Sequence, residues 1–147
     1  MTEYVFDTEP LVAYLYDEPG ASAVTELLQA VDAGEASGAV SHATATELLS
    51  KIARFETGDP TQTTPSSDEY DTGRRDVRVL RGYGVTIETP SWQTVARIEG
   101  AGGISLGDSY AAALALEADA TLVVGADPEF DDLADDIDLH RVREDPV

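Results

Sequence analysis

Apolar positions along this chain recur in two rhythms. Short runs of neighbouring apolar residues read as strands: Tyr4-Val5-Phe6, Ala36 to Val40, Val85 to Ile87, Ala120 to Val124 and Leu139 to Val142. Between them, apolar residues fall three and four apart, the spacing of one helix face. Leu11, Val12, Tyr14 and Leu15 predict a first helix with Pro10 in its first turn. After the turn Asp17-Glu18-Pro19-Gly20, the residues Val24, Leu27, Leu28 and Val31 predict a second, from Ala21 to Val31, stopped by Gly34. Ser41 caps a third from His42 to Phe55, with Leu48, Leu49, Ile52 and Phe55 on its apolar side. Gly58 to Gly73, rich in Pro, Ser, Thr and Gly, reads as a loop or frayed helix. Arg74 to Tyr83 is a fourth helix. Ser91 caps a fifth through Trp92, Val95, Ile98 and Ala101, stopped by Gly102-Gly103.

The stretch Ile104 to Phe130 holds the densest signal. Leu106, Tyr110, Leu114 and Leu116 sit among alanines, and Ser105 with Asp108 has the spacing of a capping box. A short β-branched run follows, fit for a fully buried parallel strand. It ends in Gly125-Ala126-Asp127-Pro128, and Glu129 to Ala134 reads as a last helical turn. Strands alternate with helices throughout. This predicts an α/β fold with a central parallel sheet of about four to five strands and helices on both faces.

Length and composition narrow the class. With 147 residues and no composition break, one domain over 1–147 is expected, and 42% hydrophobic residues suffice for a real core. No apolar run can span a bilayer, and MTEYVFD lacks the basic start of a signal peptide, so a soluble, cytoplasmic protein is expected. Cys is absent and only His42 and His140 are present, which argues against disulfides and zinc sites of the usual His/Cys kind.

Charge changes the picture most. There are 29 acids against 9 bases, a net −20, and Lys51 is the sole lysine. The composition resembles that of a haloarchaeal protein. Such acid density repels itself in dilute buffer and is screened in molar salt. The alternative is an ordinary acidic domain with a basic partner, which does not call for so little lysine.

Among these acids four have informative places. Asp7 follows the first strand and Asp127 a later one. If both strands are central and parallel, their carboxylates emerge at the sheet edge where open α/β folds bind ligands. Asp108 begins a helix, and Glu47 lies on the helix after Ser41. Four acids on four elements suit a hard, oxygen-liganded cation such as Mg2+ or Mn2+. A divalent ion offsets their mutual repulsion, lowers the pKa of bound water and holds phosphate oxygens. Each acid also has a plain reading. Asp7 and Asp127 are possible turn acids, Asp108 a helix-start partner of Ser105, and Glu47 a solvated helix residue. The ordered set carries the site. Asp131 stands outside the set, and Asp132, Asp135 and Asp136 read as solvated surface.

That set has a counterpart. VFDTEPLVAYL with Asp7, ATELLSKIAR with Glu47, ISLGDSYAAALALEADATLVV with Asp108 and GADPEFDDL with Asp127 follow one another in order. Together they resemble a PIN-domain ribonuclease, of the VapC-like kind that forms the toxin half of VapBC toxin–antitoxin pairs. The resemblance implies a three-layer α/β/α fold and an Mg2+ or Mn2+ site formed by Asp7, Glu47, Asp108 and Asp127. It also implies endonucleolytic hydrolysis of RNA, an antitoxin partner and a homodimer. Lys51 and Arg54, on the side of Glu47, are then expected to contact RNA phosphate. The stripe Arg74, Arg78 and Arg81 reads rather as ion-paired with nearby acids. Tyr14, Leu15, Trp92 and Val95 are candidates for either core or interface.

Two departures stand out. Gly125 lies two residues before the last acid, where many relatives carry Thr or Ser. Glu9 stands where a small residue is frequent, as an extra ligand or as an exposed acid. One rival is a haloacid-dehalogenase-like phosphatase, which also uses an Asp after its first strand but needs a second Asp where this chain has Glu9. The other is a PIN-like module that binds RNA or a partner without cutting.

Overall fold

The computed structural model describes residues 2–59, 61 and 64–144. Five parallel strands form one sheet: β1 (Thr2–Phe6), β2 (Ala36–Ser41), β3 (Thr86–Glu88), β4 (Thr121–Val124) and β5 (Leu139–Arg141), in the order β3-β2-β1-β4-β5. Six α-helices are described: α1 (Thr8–Tyr16), α2 (Ala21–Asp32), α3 (His42–Glu56), α4 (Ser67–Gly82), α5 (Trp92–Gly100) and α6 (Leu106–Ala118). A 3-10 turn over Pro128–Leu133 follows β4.

Alternation along the strands splits the core into two layers. Phe6 and Val123 face one side with Leu11, Val24, Leu28, Leu48, Ile52 and Leu80, residues of the first four helices. Val5, Leu122 and Val124 face the other with Ala111, Ala112, Leu114 and Phe130. Neighbouring residues of one strand point to opposite faces, so a buried strand must be apolar on both. This is the α/β/α arrangement that the alternating pattern predicts. The buried face of α6 is largely alanine, at Ala111, Ala112, Ala113 and Ala115.

Element ends differ from expectation in instructive ways. Helix α4 begins at Ser67, well before Arg74. A capping box starts it: the Ser66 amide donates to Glu69 Oε1 at 2.7 Å, and the Glu69 amide donates to Ser66 Oγ at 3.3 Å. Residues 67–73 of the stretch read as a loop or frayed helix are therefore the helix's first turns, while 64–66 precede it. Gly73 is needed within it, since a Cβ there would come 2.8 Å from the Leu49 carbonyl oxygen of α3. Pro60, Gln62 and Thr63 of the expected loop lie outside the described residues. Ser91 occupies the cap position of α5 without a side-chain cap bond.

Two placements of apolar side chains also differ. Val95 is 3% exposed and belongs to the core, whereas Trp92 is 71% exposed. Tyr14 and Leu15 pack against the core in part. Phe55, expected on the apolar side of α3, is 43% exposed because it lies in the helix's last turn, past the edge of the sheet-facing stripe. Among the described residues no helix is long and apolar enough to cross a membrane.

Candidate active site

Strands β1 and β4 are neighbours, with Phe6 opposite Val123. The Asp7 amide continues the ladder, donating to the Val123 carbonyl at 2.9 Å. Both strands therefore end at one edge, and the acids that follow them emerge together. Asp7 stands at the cap position of α1 but makes no side-chain cap bond, which leaves its carboxylate for the site. Asp127 caps the 3-10 turn, its Oδ1 accepting from the Glu129 amide at 2.9 Å.

Asp108 enters from the first turn of α6, where its amide donates to Ser105 Oγ at 3.3 Å. The return arm expected from Asp108 comes from elsewhere: the Ser105 amide donates to the Glu129 carboxylate. Glu47 reaches in from α3, its carboxylate lying where a Cβ of Gly107 would be. Asp7, Glu47, Asp108 and Asp127 all line one cavity of about 530 Å³, and so do Lys51 and Arg54. The six residues singled out in the sequence thus share one wall-and-floor arrangement.

The acids crowd one another. Asp108, Asp127 and Glu129 offer oxygens within 4.8 Å of one another, with Asp7 and Glu47 beside this trio. Burial pushes the Asp7 carboxyl well above the usual carboxylate range, and repulsion from Asp108 and Glu47 adds to it, while the Thr8 amide opposes. Burial also raises Asp108; the Ser105 hydroxyl opposes this, and Glu47 and Asp127 reinforce it. Loss of solvation raises Glu129.

The ion pairs among the described residues are Arg74–Asp71, Arg141–Asp131 and Arg143–Glu9. Among the described residues no base forms an ion pair with Asp7, Glu47, Asp108, Asp127 or Glu129. The Thr8 hydroxyl, buried beside Asp7 on the cavity wall, has no hydrogen-bond partner among the described residues. An all-oxygen, mutually repulsive donor set with an orphaned hydroxyl fits a divalent cation.

Four features escape a reading of the sequence. Glu129 could have been noticed as an acid two residues beyond Asp127, but its approach to Ser105 depends on the turn at Pro128. Gly107 is needed for close approach by Glu47, and nothing local marks it. Gly125 is covered by the carboxylate of Glu9, which pairs with Arg143, itself 14% exposed in its side chain. The space of the missing hydroxyl is thus taken by an acid from α1. Arg141 holds the same loop from behind, donating to the carbonyls of Gly125 at 2.8 Å and Asp127 at 3.1 Å. The stripe on α4 is also corrected: Arg74 pairs with Asp71, while Arg78 and Arg81 form no ion pair among the described residues.

The sequence matches the PIN domain family over residues 4–136. No curated protein matches the chain by sequence. Solved structures share its fold. VapBC2 from Rickettsia felis, bound to a DNA fragment from their promoter, has a TM-score of 0.67 at 14% identity, covering 95% of this chain and 98% of that one. VapBC-1 from nontypeable Haemophilus influenzae gives 0.62 at 20% identity, covering 96% and 98%. FitAcB from Neisseria gonorrhoeae gives 0.60 at 16% identity, covering 95% and 97%.

Proposed function

The chain belongs to the PIN-domain family, and from that premise we propose that it is a metal-dependent endoribonuclease, the toxin of a toxin–antitoxin pair. One observation carries the reading: acids from four separate elements meet in a cavity without a neutralising base, and Lys51 and Arg54 stand on the same wall. Asp7, Asp108 and Asp127 would hold Mg2+ or Mn2+, with Glu129 and Glu47 completing or orienting the ligand set. The bound ion supplies a water of lowered pKa and stabilises charge on the phosphate and leaving oxygen.

The chain's own residues prepare that chemistry. Asp7 would serve such an ion in its ionised form, because ligating carboxylates are deprotonated. Ser105 fixes Asp108 at the helix start and Glu129 at its other side, so two donors are set by one residue. Lys51 and Arg54 hold phosphate oxygens against the local negative charge. Hydrolysis adds water across an internal P–O bond of the RNA.

Several lines support the wider reading. The similar folds of VapBC2, VapBC-1 and FitAcB favour an antitoxin partner. Exposed Trp92 offers an apolar contact for a homodimer. The net charge of −20 favours a salt-rich cytoplasm. Glu9 argues against the phosphatase rival, since it pairs with Arg143 over Gly125 where that chemistry needs a free aspartate.

The test is incubation with a panel of structured RNAs in molar KCl, with Mg2+, with Mn2+ and with chelator. Internal cuts that need the metal are expected. Cutting that survives the chelator, or RNA bound but left intact with either metal, would overturn the reading.

A further inference from the structure

Helix α3 carries a graded row along the cavity. Glu47, Lys51 and Phe55 are four residues apart, so they share one side of the helix and step outward by about 6 Å each. All three line the cavity, with Arg54 beside them. The row runs from acid to cation to aromatic, away from the acidic floor.

Phe55 is the unexpected member. Leu48 and Ile52 of the same helix are 2% and 0% exposed, whereas Phe55 is 43% exposed. Its ring meets Tyr16 edge-to-face, with centroids 5.1 Å apart and planes at 76°. Tyr16 is itself held, its hydroxyl donating to Glu56 Oε1 at 3.3 Å. The ring is thus braced on one side and open on the other. The exposed part serves no packing, and it borders a cavity that reads as a phosphodiester site.

Charge makes an aromatic useful here. A protein of net charge −20 repels a polyanion at long range, so attraction has to come from short-range contacts. Lys51 and Arg54 have no ion-pair partner among the described residues. Their pull on phosphate weakens in salt, whereas stacking of a base on an aromatic ring is not screened. A base in a duplex has both faces covered, so only an unpaired base can stack on a protein ring.

Resting on the nuclease reading above, we propose that Lys51, Arg54 and Phe55 form a subsite for one unpaired RNA nucleotide beside the scissile phosphate. Its base stacks on Phe55, and its phosphate lies against Lys51 and Arg54.

The experiment uses the full chain with Mn2+ and a short single-stranded RNA that it cuts, carrying 2-aminopurine next to the cut. Wild type should quench the 2-aminopurine on binding. Phe55→Leu should lose the quench and raise KM about tenfold or more, and Phe55→Trp should restore both. The loss in Phe55→Leu should be as large in molar as in moderate salt, whereas the loss in Lys51→Ala should shrink as salt rises. The same RNA paired into a stem should show no dependence on residue 55. Equal quench and KM in wild type and Phe55→Leu would overturn the subsite and leave the nuclease reading standing. So would equal losses on paired and unpaired RNA with a lowered melting temperature, the mark of a structural role. If wild type neither binds nor cuts RNA, both readings fall.

Discussion

The Glu47 carboxylate rests against the bare Cα of Gly107, so α3 delivers its acid to the start of α6 only because that position lacks a side chain. Gly107→Ala separates stability from function. Alanine favours the helix by about 0.5–1 kcal/mol, and the end of the Glu47 side chain can swing aside at little cost. The melting temperature should hold or rise. RNA cutting should fall about tenfold or more, since a displaced acid sits outside the productive geometry. Paired melts and rates check this, and an unchanged rate would remove Glu47 from the site.

Glu9 and Arg143 close the space over Gly125 in a comparable way. Gly125→Ser should overpack that space and cost about 1–3 kcal/mol. Glu9→Ala should also destabilise, because it leaves a mostly buried guanidinium unpaired. The two together should cost less than their sum, as the serine then has room. A double-mutant cycle from denaturant melts measures the coupling, expected to exceed about 0.5 kcal/mol. Strict additivity would contradict the packing described here.

What was legible in the sequence follows from what is local. Asp7 and Asp127 could be read because each directly follows an apolar run, and parallel strands carry such residues to one edge. The sheet and its two-sided burial could be read from the same runs. Glu129 has no local signal, since its partner Ser105 lies across a helix, a strand and a turn. Arg143 had no local signal. Its role depends on β5 pairing with β4 and aiming the chain past Gly125. Spacing puts Phe55 on the apolar side of its helix, yet it is exposed, because spacing registers the side of a helix and not where the packing beneath it ends. The capping box of Ser66 and Glu69 was written in the sequence but masked by its loop-like composition.

The raised pKa of Asp7 carries a sign. The folded protein keeps this proton at pH values where the unfolded chain, with an Asp pKa of about 3.9, has lost it. Its contribution is most favourable below the unfolded value and declines as pH rises through the folded one. With chelator present, wild type should therefore lose stability relative to Asp7→Asn as pH rises from acid to neutral. Added Mg2+ should reverse the trend for wild type alone, since ionised ligands bind the ion. Melts that stay parallel across this range would contradict the burial and crowding of Asp7.

With 29 acids and 9 bases, self-repulsion should dominate in dilute buffer. The melting temperature should climb steeply from low to molar KCl as charges are screened. A midpoint that does not move would remove the salt-adaptation argument while leaving the site untouched.

If Asp7, Asp108 and Asp127, with Glu47 and Glu129 about them, hold a catalytic cation, cutting by aspartate variants should reveal it. Asp7→Asn and Asp127→Asn keep the shape of each side chain and remove the charge that retains a divalent ion. Wild type, Asp7→Asn and Asp127→Asn should be compared on one RNA with Mn2+, with products mapped to internal phosphodiester bonds and each fold checked by a metal-free melt. Both variants should fold and cut about a hundredfold or more slowly. Folded variants that both cut RNA at the wild-type rate would rule out a cation held by these acids as the source of the activity.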